Sequence, residues 1–357
     1  MKNNFFILII TISFFIFFGS CSTDVNINAD YKEIPIVYCV LDPSMEYQFV
    51  KVNKAFLGEK DVAEMAQVSD SLYFKSNVNV VLKKYNKEEL VASWNFDYCD
   101  TIKKDEGFFA NDKNILYAKK INFGENTKNN TYELIVDIGN GKHIIKNKLK
   151  LNLVTDIDVY TRQAKDNSVT NYKMITIANY ENSFFYEYRP GNSAVTTEVY
   201  LKFNYFEVLK SDTTYKSILL PILKNEGNTN NNNDAMKKTF NIASFYDIIS
   251  NTIPVVEGIK RYVVVPNSYN FIVYSAEENY YIYTQVTKPS TGIVQFRPTY
   301  TNLEGGLGIF ASRNSFMRTY QISKDNIDTL YRGIYTKKLG FVDPIDNYYH
   351  TFFPLSN

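Results

Sequence analysis

The chain has 357 residues and a formal net charge of +1, with 39 basic and 38 acidic side chains. Because phosphate binding needs clustered Lys and Arg, this balance argues against a nucleic-acid ligand and against a broadly basic membrane-binding face. The length favours two domains over one.

The aromatic content is high, at 16% of all residues, with 29 Tyr and 26 Phe. One interpretation is that these rings form stacking platforms for sugars or other planar ligands. The other is compositional: Lys, Asn and Ile are abundant too, and strands favour aromatic side chains in any protein. We prefer the second interpretation, since it requires no ligand.

The first 20 residues are predicted to be a signal peptide. Residues 5–18 are apolar except for Thr11 and Ser13. This run of about 14 residues is shorter than the roughly 20 that a membrane-spanning helix needs. The segment therefore predicts a signal-peptide core rather than a transmembrane helix.

A cysteine follows the apolar run directly. Gly19 and Ser20 precede Cys21, and this arrangement resembles the lipobox of bacterial lipoproteins, although Phe18 stands where an aliphatic residue is usual. We expect cleavage before Cys21 and lipidation of its sulfur. Two or three acyl chains, at about 0.8 kcal/mol per buried methylene, would hold the protein firmly. The alternative is an ordinary secretory signal with an incidental cysteine.

After a polar tether at residues 21–32, residues 33–155 are predicted to form an Ig-like β-sandwich. Apolar runs at 34–42 and 46–56 are typical of a buried strand pair. Alternating apolar residues on both sides of Gly139-Asn140-Gly141 predict a hairpin, in the segment 131–154. Cys39 and Cys99 remain after Cys21, and we favour two unpaired thiols over a disulfide, because Cys39 lies within an apolar strand.

Residues 156–357 are predicted to be a second β-rich domain with one or two short helices, so the chain as a whole is all-β. Strands are expected at 198–209 and within 262–288, including "YYIYTQVTK" at 280–288. "FNIASFYDIISN" instead has apolar residues at i, i+3, i+4 and i+7, which predicts a helix. An Asn-rich loop is expected at 224–238.

Catalytic and metal-binding motifs are scarce. The chain has two histidines, His143 and His350, no G-x-S-x-G motif and no zinc-like Cys or His spacing. Asp156 and Asp158 are two residues apart, which fits either a Ca²⁺ site or a solvated strand end, and we favour the strand end. We therefore predict no enzyme activity, no cofactor and no metal.

A Gly-rich motif at residues 296–313, "FRPTYTNLEGGLGIFASR", is the most unusual stretch of the C-terminal half. Its glycines indicate positive φ angles or a close approach of the backbone to another group. We favour a turn packed under a sheet, and the alternative is a loop that contacts a ligand or partner. The candidate contact residues are Arg297, Gly305, Gly306, Gly308 and Arg313. The two arginines suit either an anionic group or simple salt bridges.

This motif, together with "SFYDIISN", a late "YTKKLGF" and the N-terminal "IPIVYCVLDPSMEYQFVKVNKAF", resembles the DUF4249 family of Bacteroidota lipoproteins. The resemblance covers about residues 30–342, although the segment 224–238 is longer and richer in Asn than the family suggests. It implies an outer-membrane lipoprotein that is accessory to a TonB-dependent transporter, and it supplies no catalytic residues.

The predicted function is accordingly a non-enzymatic binding or accessory role for a protein anchored to the outer membrane through Cys21. Its expected partners are the membrane and a TonB-dependent receptor or another envelope protein. Two alternatives stay open: a carboxylate-dependent polysaccharide hydrolase, and a structural or adhesion role in the envelope. The sequence does not decide which face of the outer membrane carries the protein.

Overall fold

The computed structural model describes residues 33–55, 62–124, 129–166, 173–227, 233–288 and 299–349. Within these ranges 49% of the residues lie in strands and 16% in helices, which confirms the predicted mainly-β class. The predicted signal peptide, Cys21, the predicted tether and His350 lie outside the described residues.

Eight strands lie in the first half: β1 (Ile34–Leu41), β2 (Tyr47–Ala55), β3 (Val78–Asn86), β4 (Glu89–Asn95), β5 (Asp97–Cys99), β6 (Leu116–Lys120), β7 (Asn130–Ile138) and β8 (His143–Asn147). Eleven more are described after residue 155: β9 (Asp158–Tyr160), β10 (Lys165–Asp166), β11 (Lys173–Ile175), β12 (Ser183–Arg189), β13 (Thr196–Leu209), β14 (Asp212–Gly227), β15 (Met236–Asn241), β16 (Lys260–Val263), β17 (Tyr269–Ala276), β18 (Leu303–Glu304) and β19 (Leu307–Ile322).

The described helices are all short: α1 (Val62–Ala66), α2 (Ser69–Leu72), α3 (Ile242–Thr252), α4 (Glu278–Thr287), α5 (Lys324–Arg332) and α6 (Pro344–Tyr349), with a 3₁₀ turn at Lys337–Leu339. Four of them lie in the second half, where one or two were predicted. Among the described residues, none of these helices has the length and apolar character that crossing a membrane requires.

One large sheet runs through both halves of the chain. Its strand order is β14-β13-β17-β19-β1-β2-β6-β5. Three further strands belong to it: β16 pairs with β13, β11 pairs with β19, and β10 pairs with β11. β19 pairs with β1 in parallel, from Ile36 opposite Leu307 to Leu41 opposite Ser312, and with β17 in antiparallel orientation. The last long strand therefore joins the beginning of the described chain to its end.

The first half is a sandwich in which β1, β2, β6 and β5 pack on a second sheet with the order β18-β8-β7-β3-β4. Every second residue of β7 is buried, and the turn of the predicted hairpin connects β7 with β8. The shared core draws Leu303 and Phe310 from the second half. A separate hydrophobic cluster begins at Val154, one residue before the predicted domain boundary.

Helix α3 is where the apolar periodicity predicted it. Ile242, Phe245, Tyr246 and Ile249 are its buried residues. The side chain of Asn241 caps the helix by accepting a hydrogen bond from the backbone N–H of Ser244 at 3.2 Å. These side chains join the cluster of the second half, which also includes Phe203 and Phe271.

The prediction of a strand at 280–288 was wrong, because residues 278–287 form helix α4. Tyr, Ile, Val and Thr favour strands, but the carboxylate of Glu277 accepts hydrogen bonds from the backbone N–H groups of Asn279 (2.9 Å) and Tyr280 (3.1 Å). This cap satisfies two donors that a helix start otherwise leaves unpaired. The local cap and the position of the helix beside β19 outweigh the weak propensity of its residues.

The predicted Asn-rich loop at 224–238 is shorter than expected at both ends. β14 continues to Gly227, which lies opposite Thr196 of β13, and β15 begins at Met236. Pairing with neighbouring strands extends the regular structure into these polar residues. Residues 228–232 lie outside the described part of the chain. Both remaining cysteines are unpaired thiols: Cys39 is buried, and Cys99 is partly exposed.

Candidate functional site

The Gly-rich motif crosses from one sheet of the sandwich to the other. Within the motif, β18 pairs with β8 of the smaller sheet, and β19 begins three residues after β18 beside β1 of the large sheet. Gly305 and Gly306 make this crossing. The motif therefore connects the two layers of the sandwich.

Close backbone packing explains its glycines. Gly308 has φ +109°, and a Cβ atom there would overlap the carbonyl oxygen of Val37; Gly305 has φ +78°, and a Cβ atom would overlap the carbonyl oxygen of Ile144. Only glycine adopts such angles without strain. The packing matches the preferred interpretation, a turn packed under a sheet, and it leaves the surface around the motif open to a ligand.

Arg313 forms a salt bridge inside the fold. Its Nε donates to Asp42 Oδ2 at 3.1 Å, and Asp42 is nearly buried whereas Arg313 is about half exposed. Asp42 also accepts a hydrogen bond from the backbone N–H of Ser44 at 3.0 Å. Arg313 thus fastens β19 to the turn after β1, as the salt-bridge alternative predicted. Arg297 lies outside the described residues.

Three surface clefts surround the described part of the motif. The first, which we call the Glu33 cleft, has a volume of about 710 Å³ and is lined by Glu33, Pro35, Lys142, His143, Gly305 and Gly306. Lys142 pairs with Glu33, and His143 Nε2 lies 3.5 Å from Glu33 Oε2. The hydrogen bond from Lys142 is the main cause that lowers the pKa of Glu33, so this carboxylate is held in its charged form.

The second cleft, which we call the tyrosine slot, has a volume of about 260 Å³ and includes Tyr38, Tyr283, Thr287, Thr299, Tyr300 and Leu307 in its lining. Gly308 also borders it. The rings of Tyr38 on β1 and Tyr283 on α4 meet edge to face, with 6.2 Å between centroids. Burial and a hydrogen bond with Tyr38 raise the pKa of Tyr283 to about 12, so its hydroxyl stays neutral.

The third cleft, which we call the amide groove, has a volume of about 740 Å³, and its lining includes Asn152, Asn192, Glu278, Asn279, Tyr300 and Asn302. Tyr300 lines both this groove and the tyrosine slot. Its hydroxyl donates to Asn279 Oδ1 at 2.7 Å, which fixes the ring between the two clefts.

The carboxylates considered for catalysis or metal binding are engaged in ion pairs or hydrogen bonds within the fold. Asp158 pairs with Arg318 at 2.8 Å, while Asp156 accepts a hydrogen bond from the side chain of Asn192. Glu277, whose pKa is raised mainly by burial, caps helix α4. No group of three or more metal-ligating side chains occurs within the described ranges.

Sequence reasoning singled out Gly305, Gly306 and Gly308, and the structure places all three at the borders of clefts. It missed Tyr38, Tyr283, Tyr300 and Asn279. Tyr38 lies on β1, far along the chain from the other three, which belong to helix α4 and the segment after it. Their signal was the excess of tyrosine, but the wrong assignment of residues 280–288 to a strand hid the helical placement of Tyr283.

Two comparisons with known proteins found no match for this chain. No protein-family model matches the chain, and no curated protein matches it. The resemblance to the DUF4249 family stays a prediction from sequence.

Proposed function

We propose that the protein is a lipoprotein that is anchored to the outer membrane through lipid on Cys21 and that acts by binding rather than by catalysis. The observation that carries the proposal is the order of the N-terminal residues: a short apolar run, then Gly19 and Ser20, then Cys21. An acylated cysteine at the processed N-terminus is a membrane anchor of high affinity, since several acyl chains contribute together.

The length of the tether limits where the body of the protein works. Twelve residue steps separate Cys21 from Glu33, the first described residue. A fully extended chain spans at most about 3.5 Å per residue, so the body stays within roughly 40 Å of the bilayer surface. At that distance, a partner embedded in the same membrane is within reach.

The surface of the β-rich body supports a binding role. Three clefts meet along residues 299–308, and loops, strand β1 and helix α4 contribute to their walls. We assign this surface to ligand recognition. The proposed partner is a TonB-dependent transporter of the outer membrane. The protein would either deliver its bound ligand to this transporter or bind the transporter directly.

Mass spectrometry of the full chain, produced in a bacterium that processes lipoproteins, tests the anchor. We expect the mature protein to begin at Cys21, to carry a lipid there and to fractionate with membranes. Cys21→Ser should release it from membranes, whereas the control variant Cys99→Ser should leave it membrane-bound. An unmodified Cys21 thiol, or a mature chain that starts elsewhere, would refute the proposal.

The accessory role has its own test. Purification of the native lipoprotein in mild detergent, after chemical cross-linking in intact cells, should recover an outer-membrane transporter. Recovery of the lipoprotein without any envelope protein would contradict the accessory role. Protease treatment of intact cells shows which face of the outer membrane carries it: digestion of the protein places it on the cell surface, and protection places it in the periplasm.

A further inference from the structure

The tyrosine slot and the amide groove are neighbouring clefts that meet at Tyr300. Tyr300 belongs to both, and its ring is fixed by the hydrogen bond to Asn279. Together the two clefts have room for a ligand of several rings, because the groove of about 740 Å³ alone lies within the usual range of ligand pockets. The chemistry of their walls indicates the class of ligand.

The slot offers aromatic rings that are already held in place. Tyr38 and Tyr283 contact each other edge to face rather than in a parallel stack, and Tyr300 is fixed by Asn279. Thr287 and Thr299 add hydroxyl groups at the border. Flat apolar ring surfaces beside hydroxyl groups suit a ligand with one apolar face and a polar rim. Because the tyrosine rings are already ordered, binding costs little side-chain entropy.

The groove beyond Tyr300 is lined with amides. Each Asn side chain has two donors and two acceptor sites, and Asn192 uses one donor in its bond to Asp156. Asn279 donates to Glu277 at 2.8 Å and accepts from Tyr300. Asn302 bonds both backbone groups of Phe310, and Asn152 donates to the carbonyl oxygen of Asn130 at 3.0 Å. Each of these amides has a second donor and a second acceptor site, and groups that both donate and accept match hydroxyl groups, which also do both.

The charges of the groove nearly balance. Lys150 pairs with Glu88 at 2.8 Å. Lys148 Nζ donates to the carbonyl oxygen of Thr301 at 3.3 Å, a neutral partner that leaves the charge of the lysine in place, and the exposed carboxylate of Glu278 lines the same cleft. One cation and one carboxylate of opposite sign suit an uncharged ligand better than a strongly anionic one.

The backbone under the slot offers little strand edge. β1 pairs with β19 on one side and with β2 on the other. β19 pairs with β1 over Leu307–Ser312 and with β17 only from Arg313 onward. Beside the slot its outer edge is covered instead by the side chain of Asn302, which bonds both backbone groups of Phe310, and by the backbone N–H of Glu277, which donates to the carbonyl oxygen of Ser312 at 3.1 Å. A peptide that binds by strand addition needs unpaired backbone groups. Recognition in the slot must therefore use side chains, which favours a ligand recognised through ring faces and hydroxyl groups.

We propose that the tyrosine slot and the amide groove together bind an uncharged oligosaccharide, with one sugar ring against the tyrosines and the neighbouring sugars along the asparagines. The inference rests on the proposed binding role and names its ligand class. It is separate from the lipid anchor: the groove can fail to bind sugar while Cys21 is lipidated, and the two experiments distinguish these cases.

Binding of the detergent-solubilised full chain to an array of neutral and acidic oligosaccharides, with random peptides on the same array, tests the proposal. The best neutral glycan is then titrated by calorimetry. We expect Tyr283→Ala and Tyr300→Ala each to weaken binding at least tenfold. Tyr300→Phe, which keeps the ring and removes the hydrogen bond to Asn279, should weaken it less than Tyr300→Ala.

The control variant is Tyr331→Ala, since Tyr331 is an exposed tyrosine on α5 outside the residues that line the slot and the groove; it should bind as the wild type does. Tyr283→Leu, which keeps apolar volume, guards against a folding defect, and each variant is checked by circular dichroism. Equal binding by all the slot variants would overturn the proposal. So would a preference for acidic glycans or peptides, or the absence of any glycan ligand.

Discussion

Replacement of Gly308 by Ala should destabilise the contact that joins the two halves of the chain. Gly308 has φ +109°, and an added Cβ atom would lie 2.8 Å from the carbonyl carbon of Val37 and overlap its oxygen. Val37 lies directly opposite Gly308 in the β1–β19 ladder. The obstacle is therefore backbone, which cannot move away as a flexible side chain would.

The expected loss of stability has two parts. An L-residue at such a φ angle costs about 1–3 kcal/mol. Separation of β1 from β19 around this pair breaks about two ladder hydrogen bonds, each worth about 1 kcal/mol net. The sum is about 3–5 kcal/mol, a large part of the 5–15 kcal/mol that typically stabilises a folded protein.

Urea unfolding of the full chain, followed by circular dichroism, measures this loss. Two matched glycines divide the effect into its parts. Gly258 has φ +74° with open space around its Cβ position, so Gly258→Ala should cost only the backbone strain. Gly107 has neither a positive φ nor a neighbour within 4 Å, so Gly107→Ala should change stability by about 0.5 kcal/mol or less.

The comparison between variants refutes or supports the reasoning directly. If Gly308→Ala is no less stable than Gly258→Ala, the overlap with Val37 does not matter, and the close approach of β1 to β19 is wrong. If Gly107→Ala is as damaging as Gly308→Ala, the effect belongs to glycine replacement in general. Either result would remove the packing explanation of the motif.

Two further substitutions test charged groups. Arg261→Met should cost about 3–5 kcal/mol in urea unfolding, because Arg261 is fully buried and its loss leaves Glu207, 2.8 Å away, without its cation; the exposed pair of Arg332 with Asp328 is the control, and Arg332→Met should cost about 0.5 kcal/mol or less. Glu33→Gln should reduce the amount by which the free energy of unfolding falls as the pH is lowered into the acid range. The pKa of Glu33 is lowered from its usual value of 4.5, so its contribution is present above that pH and is lost as the pH falls through the folded-state pKa.

The partner of Glu33 supplies the control for the pH experiment. Lys142→Met removes the main cause of the lowered pKa of Glu33. It should therefore also reduce the fall of the free energy of unfolding at acid pH. The double variant should add nothing further, since both changes remove one interaction. Additive effects of the two substitutions would show that Glu33 and Lys142 act on stability through separate contacts.

Local patterns were sufficient for some elements. Apolar residues at helical spacing from Ile242 to Ile249 predicted α3, and alternation before Gly139-Asn140-Gly141 predicted β7 and the turn that follows it. These elements are determined by residues a few positions apart. The alternation expected after the turn, at Leu149, Leu151 and Leu153, was wrong as a strand, because β8 ends at Asn147 and Leu149 is exposed. The same local patterns did not predict helix α4. Its residues favour strands, and its start depends on a single capping residue, Glu277.

The sequence by itself thus determined the mainly-β class, the core-facing side of α3, the turn between β7 and β8, and the position of a Gly-rich motif. Only the tertiary structure decided that β19 pairs with β1 across some 270 residues of chain, and that Tyr38, Tyr283 and Tyr300 line one slot. The physical reason is that periodicity and turn chemistry act between near neighbours. The choice of a strand's partner depends instead on the packing of distant side chains, which no local pattern contains.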